Sequence, residues 1–335
     1  MHKSKFDRNL VAISTIAALW STPALYAGTW GNSVQYDNYG LNPKAATDGA
    51  TVVEVHNGWN GAGPLWYRVG QLNDNYNYTI QWGNSAQYDN SGMNPSVAIS
   101  DSGSGSTVVE VHNGIAGVGP LWYRVGQVNT SSKTIQWGNS VQYDKSGMNP
   151  SVAMSGSTVV EVHNGIAGVG PLWYRVGQVN ASSKTIEWGN SVQYDKSGMN
   201  PSVAMSGSTV VEVHNGIAGV GPLWYRAGKV NTSSKTIQWE NSVRYDNGLN
   251  PTVAITLSNG LALVEVHNGG YGAGPLLYHV GYFTVAGIHW GASAQYDNSG
   301  MNPCVAGGAY GEVVEVHDGV DGAGPLWYRV AYLPK

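Results

Sequence analysis

The sequence predicts an all-β fold: a six-bladed β-propeller of four-stranded antiparallel blades, closed by the N-terminal strand completing the last blade. Three observations carry this expectation. One unit of about 51 residues recurs six times, marked by Trp30, Trp82, Trp137, Trp188, Trp239 and Trp290 at gaps of 52, 55, 51, 51 and 51 residues. Each unit offers four short runs rich in Val, Trp and Tyr between Gly-, Ser- and Asn-rich turns, with no sustained helical period. Fifty-odd residues and four strands per repeat is the arithmetic of a propeller blade. The repeat also has a phase. After the leader, the chain opens with one fourth-strand run (29–36) and ends with three runs (303–306, 313–317, 326–332) that lack a fourth, so the first run can complete the last blade and remove the free edges.

Taken in order, residues 1–27 read as a secretory signal: Lys3, Lys5 and Arg8 precede an apolar run from Leu10 to Trp20 that is too short to span a bilayer. The propeller is then expected over 28–335, in a secreted protein with no membrane insertion. In the third unit the expected strands are 150–154, 158–163, 172–179 and 185–194. The strongest hairpin is Thr158-Val159-Val160-Glu161-Val162-His163-Asn164-Gly165 followed by Pro171-Leu172-Trp173-Tyr174-Arg175-Val176-Gly177. The segment from Tyr143 to Pro150 reads as a turn, because Asp, Ser, Gly and Asn-Pro bond locally to the backbone. It carries too few carboxylates for a calcium loop. The 55-residue gap comes from extra Ser and Gly around Asp101 to Ser106, which a hairpin loop absorbs cheaply.

Composition narrows the function. Charged residues make up 11% of the chain and the net charge is -4, so no basic face for nucleic acid stands out. The single Cys304 excludes an intrachain disulfide and reads as a small buried strand residue, in a column otherwise filled by Ser96, Ser151, Ser202 and Thr252. No Gly-x-Ser-x-Gly nucleophile motif and no phosphate-cradling loop appears, and the histidines lack a second histidine at helical or finger spacing. No cofactor, metal or catalytic residue is therefore expected.

The candidate site residues are those of the repeated hairpin. Side chains alternate along a strand, so Glu161 and His163 share a face, as do Trp173 and Arg175. If Glu161 faces Arg175, the antiparallel register sets His163 opposite Trp173. Glu–Arg then reads as an ion pair between packed blades, since a buried charge needs a partner. Trp and His suit packing and ligand contact equally. The fifth unit has Leu277 and His279 in place of Trp and Arg, which fits a degenerate binding site or a repacked blade.

Pro150-Ser151-Val152, Glu161-Val162, Leu172-Trp173 and the outer-strand Trp188 give the chain a layout that resembles bacterial β-propeller lectins of the fucose-binding type. That resemblance covers the chain after the leader and implies sugar binding. The resulting expectation is a multivalent lectin that is not an enzyme. Its contacts would be His56, Trp66, Arg68, His112, Trp122, Arg124, His163, Trp173, Arg175, His214, Trp224, Arg226, His317, Trp327 and Arg329, and its partners cell-surface glycans, with oligomeric state open. The alternative is a protein-binding or structural propeller scaffold.

Overall fold

The computed structural model describes residues 29–334 apart from 60–61, 74–77, 102–104, 115–117, 259 and 320–321. The expected signal at 1–27 and most of the Ser/Gly insertion lie outside the described residues. Among the described residues the chain forms 23 strands. Within the third unit a long strand, Val141–Ser155, pairs with Thr158–Asn164, which pairs in turn with Gly170–Asn180. The outer flank of Gly170–Asn180 is covered twice. Its C-terminal half pairs with the short strand Thr185–Trp188, and its N-terminal half with the start of the next long strand, Val192–Ser206.

That long strand corrects the expected fold. The segment Asp195 to Pro201, anticipated as a turn, is continuous strand carrying irregularities of register, so Val192–Ser206 begins at the rim of one unit and ends innermost in the next. Asn200 sits at the bend with φ near 49°, and every other copy repeats this: Asn42, Asn94, Asn149, Asn250 and Asn302 lie between 48° and 51°. Asparagine tolerates this left-handed conformation, and proline after it has no N–H to lose from the ladder. Turn-forming residues here build a bulge. Eighteen strands consequently form one closed antiparallel ladder, sealed where Val34–Thr47 pairs with Gly324–Tyr332, and five short strands hang from it. The chain is a closed propeller-type ring, not a six-bladed propeller of separate four-stranded blades.

Hydrophobic clusters fill the spaces between neighbouring units. Val160, Val162, Tyr174 and Val176 of the third unit pack against Val203, Val210 and Ile237 of the fourth. The marker tryptophans act here. Trp239 stacks on Tyr194 at 5.2 Å and meets the edge of Tyr174 at 6.1 Å, an aromatic triad bridging units. At the seam, Trp30 stacks on Tyr296 at 5.0 Å and Gly31 N–H donates to Val330 O, so the N-terminal segment takes the place of a sixth short strand.

Candidate functional site

The hairpin register is the one anticipated: Glu161 lies opposite Arg175 and His163 opposite Trp173, and all six units repeat it. The expected Glu–Arg ion pair does not form. Glu161 is fully buried and takes His163 Nδ1 on both oxygens at 3.1 Å, a partner two residues along the same face. Arg175 reaches instead into the preceding unit's strand, donating to Asp144 Oδ2 at 2.8 and 3.0 Å and to Gly189 O at 2.8 Å. Burial would raise the Asp144 carboxyl, but Arg175 outweighs it and holds the group below the usual carboxylate range. Burial likewise opposes charging His56, His214 and His317, yet the neighbouring glutamate leaves each of these imidazoles raised. Tyr88 and Tyr296 donate to Glu110 and Glu315 at 2.8 and 2.9 Å. Tyrosine, glutamate, histidine, aspartate and arginine thus form a buried polar chain between consecutive units.

This places each candidate contact residue. His56, His112, His163 and His317 are 2% exposed and enclosed by packing, as is His214. Arg68, Arg124, Arg175, Arg226 and Arg329 keep partial exposure while engaged with aspartates. Trp66, Trp122, Trp173, Trp224 and Trp327 are half-buried at the hairpin turns. Each indole edge lies against the turn glycine: a Cβ added at Gly165 would meet Trp173 Nε1 at 2.5 Å.

The structure assembles a second group that the sequence reading passed over. The six bend asparagines converge on the axis and join side chain to side chain: Asn42 to Asn94, Asn94 to Asn149, Asn149 to Asn200, Asn200 to Asn250 and Asn250 to Asn302, at 2.6 to 2.9 Å. With the residue two positions on, they line an axial cavity of about 290 Å³. A further set of bonds ties the units there: Ser96, Ser151, Ser202 and Thr252 each accept the backbone N–H of the next unit's valine at 3.1 to 3.3 Å.

Six-fold repetition breaks at one place on this wall. The hydroxyl column ends in Cys304 and begins in Lys44, neither of which supplies that oxygen. The asparagine that closes each hairpin, bonded through Nδ2 to a glycine carbonyl and through Oδ1 to the next bend N–H, becomes Asp318 in the last unit. Asp318 Oδ2 accepts from Asn302 Nδ2 at 2.9 Å and from Asn42 N–H at 3.3 Å, so the asparagine ring stays open between Asn302 and Asn42. Asp318 Oδ1, in the place of a donor, is buried without a partner. Burial pushes its carboxyl up to about 7. Lys44 faces the cavity and, among the described residues, makes no ion pair. Burial raises the Cys304 thiol, consistent with its reading as an enclosed strand residue. Comparing the six copies column by column exposes all three substitutions.

No family model and no curated protein matches the chain. Solved structures do. The intramolecular trans-sialidase from Ruminococcus gnavus superposes with a TM-score of 0.63 at 8% identity, over 89% of this chain and 95% of that one. The NanB sialidase K499G mutant from Streptococcus pneumoniae gives 0.61 at 8% identity, over 89% and 70%. Trypanosoma rangeli sialidase gives 0.56 at 9%, with 88% of this chain matching 55% of that one. The fold is therefore a sialidase-type β-propeller. These matches overturn the resemblance to fucose-binding lectins. With it go the expected multivalent lectin, the non-catalytic scaffold and the absence of an enzymatic role, for the matched structures are enzymes. The repeats also depart from uniformity at the seam, where Lys44, Cys304 and Asp318 stand in place of the residues of the other copies.

Proposed function

We propose that the chain is a glycan-acting enzyme of glycosidase type that works at the axial cavity. The observation that carries this reading is the convergence of Lys44, Cys304 and Asp318 at a single seam in an otherwise repeated wall. Cleaving a glycosidic bond near neutral pH requires a carboxyl that is still protonated there. Among the described residues, Asp318 is the carboxyl pushed up, and it sits at the opening of the asparagine ring. In this reading Asp318 gives its proton to the leaving oxygen. Water supplies hydroxide to the anomeric carbon, and its remaining proton returns to Asp318. The Lys44 ammonium stabilises negative charge on the bound sugar. The matched sialidases support a glycan as the ligand.

The turns bearing Trp66 and its copies are tied to the ring through Asn57 and its equivalents, so they stand on the cavity's side of the molecule. They are the proposed surface for the remainder of the glycan. Export through residues 1–27 would bring the enzyme to cell-surface glycans. The test is turnover of a panel of aryl glycosides, sialosides included, by the chain and by Asp318→Asn and Lys44→Ser. Both variants restore residues found in other copies, so both are expected to fold. Wild-type turnover at least tenfold above Asp318→Asn is expected. No turnover on any substrate, or equal rates, would refute the proposal.

A further inference from the structure

The fifth unit departs from the others at the polar chain between units, and its departures meet at one point. His279 replaces arginine. Its Nδ1 donates to Gly291 O at 2.8 Å, the carbonyl equivalent to the one arginine reaches elsewhere, and its Nε2 lies 2.6 Å from Asp246 Oδ2. His267 Nδ1 is held by both oxygens of Glu265 at 3.2 and 3.0 Å. Its Nε2 faces the same Asp246 oxygen at 3.8 Å and has no hydrogen-bond partner, although the residue is fully buried. The two imidazoles lie nearly parallel, 24° apart with centroids 5.8 Å distant. Two ring nitrogens and one carboxylate oxygen thus fall within 4.8 Å of one another, the one such group of three among the described residues.

We infer that Asp246, His267 and His279 form a binding site for a divalent transition-metal ion of the zinc class. The ligand set is the mixture of imidazole nitrogen and carboxylate oxygen that such ions take, with a fourth position open for water. Each imidazole has its far nitrogen fixed by an outer acceptor, the Glu265 carboxylate or the Gly291 carbonyl, which is how ligating histidines are oriented. Metal–ligand bonds of about 2.0–2.1 Å place tetrahedral ligand atoms about 3.3 Å apart. Reaching that spacing means widening the 2.6 Å contact and narrowing the 3.8 Å one, each by less than about 1 Å, and bringing the two ring nitrogens, which lie within 4.8 Å of one another, to the same separation. Asp246 is 26% exposed at its side chain, which gives the ion a way in and its water a place. In the remaining units a guanidinium fills this position. It carries permanent charge and has no lone pair to offer, so the site belongs to the fifth unit alone. Leu277, where the others have tryptophan, marks the same unit as the one rebuilt locally.

The experiment is titration of the chelator-treated, tag-free chain with Zn²⁺ by calorimetry, and with Co²⁺ by visible absorbance. We expect one saturable equivalent, the visible bands of a four-coordinate cobalt site, and a melting temperature that rises with added zinc. His279→Arg rebuilds the pairing of the other units and is expected to fold with the same circular dichroism. It should lose the stoichiometric equivalent and the cobalt spectrum, with affinity falling at least a hundredfold. Absence of saturable binding in the wild-type chain, or unchanged binding in His279→Arg, would overturn the inference. Metal binding is read directly, so this result is independent of whether any glycoside is cleaved.

Discussion

Replacing Asp318 by asparagine should stabilise the protein above neutral pH while abolishing the proposed turnover. In five units the asparagine at this position donates to a glycine carbonyl at 2.8 to 3.0 Å. Asp318 presents an oxygen there, buried and unpartnered. Burial raises its carboxyl from an ordinary 3.8 to about 7. Because the folded value lies above the unfolded one, the neutral acid is the form the fold favours. This contribution is fully present below about pH 4 and is lost as pH rises through about 7. Ionising a carboxyl raised that far costs the fold about 4 kcal/mol at most. For roughly 300 ordered residues that is about 6 °C in melting temperature.

The assay compares melting temperatures of the two proteins at pH 5 and pH 8. All other titrating groups are common to both, so the difference isolates position 318. The unfolded carboxyl is already ionised at pH 5, so only the loss between pH 5 and about 7 is read, about 2.7 kcal/mol, and the gap between Asp318→Asn and wild type should widen by about 4 °C on going to pH 8. A gap that stays constant with pH would show that Asp318 is ionised throughout, and would remove the acid from the proposed site. A variant that is more stable and less active is the expected signature of a functional group held against its local environment.

Three further outcomes follow from the packing. Arg175→Ala strips Asp144 of its counter-ion and should cost about 2 kcal/mol in denaturant unfolding, with Arg175→His costing less because the fifth unit already uses that pairing. Trp188→Ala removes a ring stacked on Tyr143 and set against Tyr123, and should cost about 3–4 kcal/mol, roughly double the cost of Trp173→Ala, whose indole has no aromatic partner among the described residues. Gly147→Ala would drive a Cβ to 2.6 Å from Leu121 Cδ1 and 2.9 Å from His163 Cδ2, costing about 2 kcal/mol by overpacking in the same unfolding experiment.

The repeated hairpin was legible because strand alternation and antiparallel register depend on neighbouring residues. Glu161 opposite Arg175 and His163 opposite Trp173 required nothing else. Partners across units were not legible in that way. Arginine is long enough to leave its cross-strand neighbour, and only the packed ring shows that Asp144 waits for it. The bend at Asn149 misled for a different reason. Left-handed asparagine followed by proline serves a turn and a bulge equally well, and the choice between them rests on the ladder beyond. The axial group could have been found. Lys44 and Cys304 stand in a column of hydroxyls, and Asp318 in a column of asparagines, so each shows as an exception in the aligned repeats alone. Their meeting at one seam needs the closed ring.

Repetition explains why chemistry in this molecule should be sought in exceptions. A geometry copied around an axis gives each copy the same partner and charge, as the arginine–aspartate pairs show. An isolated reactive group requires a position where copying has failed without loss of packing. Two such positions exist among the described residues, and they differ in kind. At the seam, substitutions remove hydrogen bonds that tie units together and leave orphaned one oxygen of a carboxyl whose other oxygen holds the ends of the asparagine ring. In the fifth unit, substitution keeps the cross-unit contact but exchanges a fixed cation for an imidazole that can ligate. The first arrangement stores a cost that Asp318→Asn should release. The second keeps its contact to Asp246, so His279→Arg should change metal affinity far more than stability.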